Sequence, residues 1–192
     1  MAMQRKAQFP IERLLLDRWS PRAMSGEPIT EQELMTLFEA ARWAPSSYNA
    51  QPWRFVYARR DTKYWPALFN LLVPFNQSWT TTAAVLVVVL SKNTFPWNDK
   101  PARTHSFDTG ASWQNMALQG FSMGLVVHGM EGFDYEKTKH ELSVPDGYTV
   151  EAMIAIGRPG KKEHLPKELQ EREEKSDRHP VSAFVFEGTF KH

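Results

Sequence analysis

The chain of 192 residues contains no cysteine. That excludes disulfides, thiolate catalysis and any metal site built on sulfur ligands, and it suits a reducing compartment. A charge of one sign is missing too: 23 Lys and Arg face 22 Asp and Glu, for a formal net charge of +1. No global field therefore draws the chain to nucleic acid or to an anionic membrane. The longest hydrophobic run, "AAVLVVVL" at 83–90, is about a third of what a bilayer span needs. The opening "MAMQRKAQF" has no apolar h-region of a secretory signal. The expectation is a cytoplasmic protein with neither membrane nor nucleic acid as a partner.

Glycine-bearing motifs are absent as well. The sequence has no Gly-x-Gly-x-x-Gly, no Walker loop and no Gly-x-Ser-x-Gly elbow. Histidines at 105, 128, 140, 164, 179 and 192 show no paired metal-ligand spacing. No Ser–His–Asp arrangement is suggested, so neither a catalytic side chain nor a metal ligand is nominated. What the chain does have is aromatic residues, 12% with seven tryptophans. These are large flat surfaces for a core, an interface or the surroundings of a planar ligand.

Periodicity predicts the elements. A short helix is expected at 10–17, started by a proline, then a loop at 18–28. Thr30 and Glu33 form a capping-box pattern ahead of a helix over 31–43. "WRFVYA" (53–58) reads as a strand with Trp53, Phe55 and Tyr57 on one face. A short helix at 62–72 is interrupted at Pro66, and "PFNQSW" (74–79) is a loop. The apolar run then forms a central strand covered on both faces. Asp108 caps a helix that stops at Gly124, and a strand from 125 ends in a turn spanning Gly129 and Gly132. A helix at 135–143 with Asp134 as its cap, a strand at 150–160 and a solvated charged connection at 161–177 follow. Residues 181–190 alternate as a late strand or extended arm, for which a second protomer is a natural receiver. The alternation implies one domain across 1–192, an α/β or α+β sheet layered with helices.

Polar loops at element ends are the candidates for chemistry. In "RWSPR", Arg18, Ser20 and Arg22 point to one side if extended and can grip a phosphate or another planar anion, or simply pair with nearby carboxylates. In "APSSYNAQPWRF", Ser46, Ser47 and Asn49 either make local turns or offer hydroxyl and amide groups to a polar ligand. "HGMEGFD" is either a tight turn capped by Asp134 or a place where backbone approaches something flat. Arg178 in "SDRHP" is either a surface arginine or part of a site.

Taken in order, "RWSPR", "APSSYNAQPWRF", "FNQSW", "GLVVHGMEGFD" and "DRHP" resemble the nitroreductase family of FMN-dependent oxidoreductases, over about residues 10–180. The resemblance implies an α+β fold with a mostly antiparallel central sheet flanked by helices, and a C-terminal arm exchanged with the partner of a homodimer. It implies FMN as cofactor and NADH or NADPH as co-substrate. The acceptor would be a small electron-poor molecule, such as a nitroaromatic or quinone. Arg18, Ser20 and Arg22 would hold the phosphate, ribityl chain and pyrimidine edge, with Arg178 on the phosphate. Pro45, Ser46, Ser47, Asn49 and Gln51 would serve a flavin bound across the interface, and Asn76 the ring's polar edge. Gly129, Met130, Glu131 and Gly132 would lie against the flavin, with the Glu131 N–H directed at N5. Asp108 is carried over as a cofactor-side residue. Gly129 stands where many members carry proline, Trp79 where some carry lysine, Asp108 where some have glutamine, and Ser176 where some have a second phosphate-binding base.

Overall fold

The computed structural model describes residues 5–190. Residues 1–4 and 191–192, His192 among them, lie outside the described residues. Among the described residues the chain forms β1 (Trp53–Arg59), β2 (Val85–Lys92), β3 (Val126–Met130) and β4 (Tyr148–Gly157). They pair antiparallel throughout in the order β1-β2-β4-β3. The helices are α1 (Arg13–Asp17), α2 (Glu31–Arg42), α3 (Trp65–Phe69), α4 (Pro74–Thr80), α5 (His105–Ser122), α6 (Tyr135–Glu141) and α7 (Lys167–Gln170).

The unbroken apolar run is explained by β2, which lies second in the sheet and is buried on both faces. Leu86, Val88 and Leu90 enter one core with Leu68, Trp79, Phe133 and Leu169, while Val85, Val87 and Val89 enter a second with Leu34, Leu37, Met116 and Ala117. Each such side chain contributes about 1.5–3 kcal/mol by leaving water. The α2 start is as expected: Thr30 Oγ1 accepts from the Glu33 N–H at 3.1 Å and Glu33 returns the bond to the Thr30 N–H at 2.7 Å. Phe38 on α2 then meets Phe55 and Tyr57 of β1, with centroids 5.4 and 5.6 Å apart.

Four expectations are corrected. Pro66 does not interrupt a helix but sits in the first turn of α3, where its missing N–H costs nothing. The segment 74–79 is helix α4 rather than loop, because Pro74 occupies the same kind of starting position after extended Val73. Helix α5 begins at His105, so Asp108 lies inside its first turn and is not its cap. Residues 181–190 form no strand: a single 3-10 turn at Val181–Ala183 is followed by irregular backbone.

One irregularity positions the site. The β2–β4 register shifts between Val89 and Leu90, which pair with Ala152 and Val150. Glu151 is left as the extra residue of a bulge, and bulges re-aim side chains. Its carboxylate accepts from the Ser91 hydroxyl and, at 2.7 Å, from the Ser106 hydroxyl, and it lies 3.6 Å from His105 Nδ1. The start of α5 is thereby pinned to the sheet.

Candidate functional site

Arg18, Ser20, Arg22 and Arg178, 160 residues apart at the extremes by their numbers, line one crevice of about 280 Å³ together with Arg5, Trp19, Arg172, Glu174 and Ser176. Among the described residues, only Arg22 of these arginines meets a carboxylate, Glu173 Oε2 at 3.9 Å. The guanidinium of Arg18 is held below the ordinary arginine range, first by burial and then by the charges of Arg178 and Arg5. Arg5 is lowered for the same two kinds of reason, burial first and Arg178 second. Arginine does not give up its proton in proteins. The lowering therefore reports burial first and the crowding of like charges second; the clustering of five arginines in one crevice is what suits an anion.

The scaffold of this crevice comes from distant residues. Glu173 is 9% exposed, and its Oε1 accepts from the backbone N–H of both Arg22 and Ala23, at 2.7 and 2.8 Å. From β3, His128 Nδ1 lies 2.8 Å from the Pro21 carbonyl, which fixes the proton on that nitrogen. Its ring packs 4.7 Å from that of Trp79. Burial, with the nearby Arg22 and Arg18 charges as lesser causes, pushes the His128 pKa down to about 4. The imidazole is therefore neutral at physiological pH. Nothing in the local sequence marks Arg5, Arg172 or Glu173 as site residues, and His128, though inside a candidate segment, is not nominated by it; the contacts that give them roles span up to 171 positions.

The turn after β3 is held by α4. Asn76 is buried; its Nδ2 donates to the Gly132 carbonyl at 2.9 Å and its Oδ1 accepts from Trp79 Nε1 at 3.2 Å. A Cβ on Gly132 would stand 2.7 Å from Asn76 Nδ2, so only glycine lets this turn close. Met130 is buried in the core and offers a ligand nothing but backbone, while Glu131 is exposed. Gly129 does not belong to the turn. It lies within β3 opposite Ile154, and the space over its Cα is filled by the Trp113 ring, 3.1 Å from where a Cβ would be. The Trp113 indole N–H is buried there with no acceptor among the described residues.

The loop of residues 45–51 lies apart: none of them lines the arginine crevice. Tyr48, Asn49 and Gln51 have φ of 51, 56 and 48°, in the left-handed region that is a rare and costly place for an aromatic side chain. Bonds from Ser47 N–H to Asp108 Oδ2 and from Gln51 N–H to Ser46 Oγ, each 3.0 Å, hold the loop in this shape. Asp108 is buried and so works as the anchor of this loop, carried to it by the pinned first turn of α5. The Ser47 hydroxyl and the Asn49 amide group make no side-chain hydrogen bond among the described residues, and Tyr48 is 82% exposed. Pro45 is exposed at the loop's start.

Comparison with known proteins decides the family. The Nitroreductase family model matches residues 15–158. The chain belongs to the Nitroreductase family. The DrgA protein of Synechocystis is 29% identical over 171 residues, covering 70% of this chain and 79% of its own. An NADH dehydrogenase of Thermus thermophilus is 29% identical over 177 residues, covering 75% and 84%. A solved structure described as an oxidoreductase containing FMN superposes with a TM-score of 0.93 at 44% identity, over 97% of this chain and 96% of that one. Membership in the Nitroreductase family makes this chain an oxidoreductase. The family match takes in the "RWSPR" segment, the 45–51 loop and the Gly132 turn, but not Arg5, Arg172 or Arg178.

Proposed function

We propose that this nitroreductase-family oxidoreductase holds FMN and uses it to pass a hydride from NADH or NADPH to flat electron-poor acceptors such as nitroaromatics and quinones. The observation that carries the reading is the arginine crevice, in which only Arg22 of the arginines meets a carboxylate among the described residues and which suits a phosphate monoester. The residues fit the cofactor: Arg18, Ser20, Arg22 and Arg178 would hold its phosphate and ribityl chain. The chemistry that FMN supplies when bound is hydride transfer, in from the nicotinamide and out to the acceptor, in a ping-pong sequence. The chain's part is orientation and charge. Arg22, tethered through its backbone N–H to Glu173, is the nearest candidate to balance negative charge on the pyrimidine edge, with Arg18 second.

None of the residues of the 45–51 loop lines its own crevice, and so the reading includes a homodimer in which each loop serves the partner's site. Large exposed apolar side chains support a covered surface: Phe107 on α5 is 80% exposed, Trp43 at the end of α2 71%, and Phe184 in the tail 63%. The tail from 181 onward would lie on the partner, and residues 1–192 would act as one FMN-binding domain of a cytoplasmic enzyme. None of the described helices is long and apolar enough to cross a membrane.

The test is an absorbance spectrum of the purified protein after reconstitution with FMN. Anaerobic NADH or NADPH is then added, followed by a nitroaromatic or quinone. Flavin bands that bleach and recover support the reading. Bands that persist under both nucleotides point to a protein that stores or senses FMN, and no bands after reconstitution end the proposal.

A further inference from the structure

The crevice contains a cation that the family's motifs do not supply. Arg5 donates from Nε to the Ser176 carbonyl at 2.8 Å and from Nη1 to the Leu16 and Arg18 carbonyls at 3.0 and 2.7 Å. Its guanidinium is thus a brace that ties the segment around Ser176 to the end of α1 and to Arg18. Arg178 donates to the Ser176 hydroxyl at 3.0 Å and to the Asp177 carbonyl at 3.0 Å, and Arg18 to the Ser20 hydroxyl at 3.1 Å. Arg22 lies against Glu173.

Arg172 differs from all of these. It lines the same crevice, yet among the described residues its guanidinium donates no hydrogen bond and meets no carboxylate, although Glu174 lines the crevice as well. It stands two positions beyond the end of α7, on the turn that carries Glu173 into the core beneath Arg22. Arg172 is exposed on the wall of the crevice, and a guanidinium fork with its donors open beside like charges gains most from a doubly charged oxyanion. Ser176, in the same segment, provides a hydroxyl but no charge.

Building on the FMN reading, we propose that Arg172 is the second cationic contact for the cofactor phosphate in this chain, in place of a base at position 176, with Arg5 as the brace that brings the two phosphate-binding segments together.

The test separates phosphate from ring. Apoprotein of the wild type, Arg172→Gln and Arg172→Lys is titrated with FMN and with riboflavin, following flavin fluorescence, at low and high salt. The wild type is expected to bind FMN more tightly than riboflavin. Arg172→Gln should raise the FMN Kd by about tenfold, the effect of one charge-assisted contact, leave riboflavin unchanged and flatten the salt dependence of FMN binding. Arg172→Lys should recover part of the FMN affinity. Equal weakening of both ligands, or no change in either, overturns the role of Arg172 while leaving the FMN reading in place. A wild type that binds neither flavin defeats the FMN reading itself.

Discussion

The arginine crevice and the 45–51 loop are built by opposite means. The crevice is assembled from residues near both ends of the chain and held by long-range bonds from Glu173, His128 and Arg5. Its conformational cost is spread over a packed scaffold and its tension is electrostatic. The loop is local in sequence, and its tension lies in the backbone, where three non-glycine residues adopt positive φ and one carboxylate, Asp108, fixes the start. Strain of this kind persists where surroundings over-determine it, and it gathers at functional sites. One region is arranged around a charge it does not itself balance; the other presents groups it does not itself use. That contrast is what the proposed site shared between two copies rests on.

Breaking the scaffold of the crevice should have the largest effect. Glu173→Ala leaves the N–H groups of Arg22 and Ala23 buried without an acceptor, at a cost of about 3 kcal/mol. Chemical denaturation should show that loss, and FMN affinity should fall with it. A Glu173→Ala protein as stable as wild type would mean that the Arg18–Arg22 segment is held from elsewhere.

The crevice scaffold should also be acid-sensitive. The His128 pKa is lowered to about 4 in the folded protein from about 6.5 in the unfolded chain. Between those values the unfolded chain binds more protons, so stability is complete above about pH 6.5 and drains away as the pH falls toward 4. At pH 5 the loss is about 2 kcal/mol, or roughly 4–8 °C in Tm for a chain of this size. Asn at 128 can still donate to the Pro21 carbonyl, so His128→Asn should flatten this part of the Tm–pH curve. An unchanged slope in the variant would assign the acid sensitivity to other groups.

Asp108→Ala should cost less, about 1–2 kcal/mol for the loss of its bonds from the Ser47 N–H and the Thr104 hydroxyl. It should lower turnover with a nitroaromatic or quinone acceptor while leaving FMN affinity near the wild-type value, because Asp108 holds the loop and not the crevice. Equal losses in FMN binding and turnover would erase the distinction between the two regions.

The smallest effect is expected at the strained residue. Tyr48→Gly removes the penalty for positive φ and should raise stability by up to about 1 kcal/mol in thermal melts, yet reduce acceptor turnover. A variant that loses stability would show that the exposed ring, which meets Phe95 and Trp97 edge-on with centroids 5.8 and 6.4 Å away, contributes more than the strain costs.

Much of the molecule is legible in its sequence. The capping box at Thr30, the doubly buried β2 and the cap at Asp134 are set by neighbours within a few positions, and each stands where the pattern puts it. The ordered polar segments were legible too, and the family match takes in all but the last of them. Proline was misread at 66 and 74 because a residue that breaks a helix interior also starts one, and only the preceding backbone decides which. The alternation at 181–190 allowed a strand or an extended arm; within one chain no strand forms there, because alternation becomes a strand only where an edge is available to pair with it.

The sequence by itself determined the local conformations, the two-faced core strand and the residue types able to grip an anion, since these follow from short-range sterics and from periodicity. Only the tertiary structure decided that Glu173 would hold the Arg22 backbone, that Asp108 would anchor a loop and not cap a helix, that Trp113 would fill the space over Gly129, and that Arg172 would face the crevice. Those outcomes depend on which distant surfaces are pressed together when the core closes, and burial, which acts on surfaces whatever their separation along the chain, leaves no local mark in the sequence.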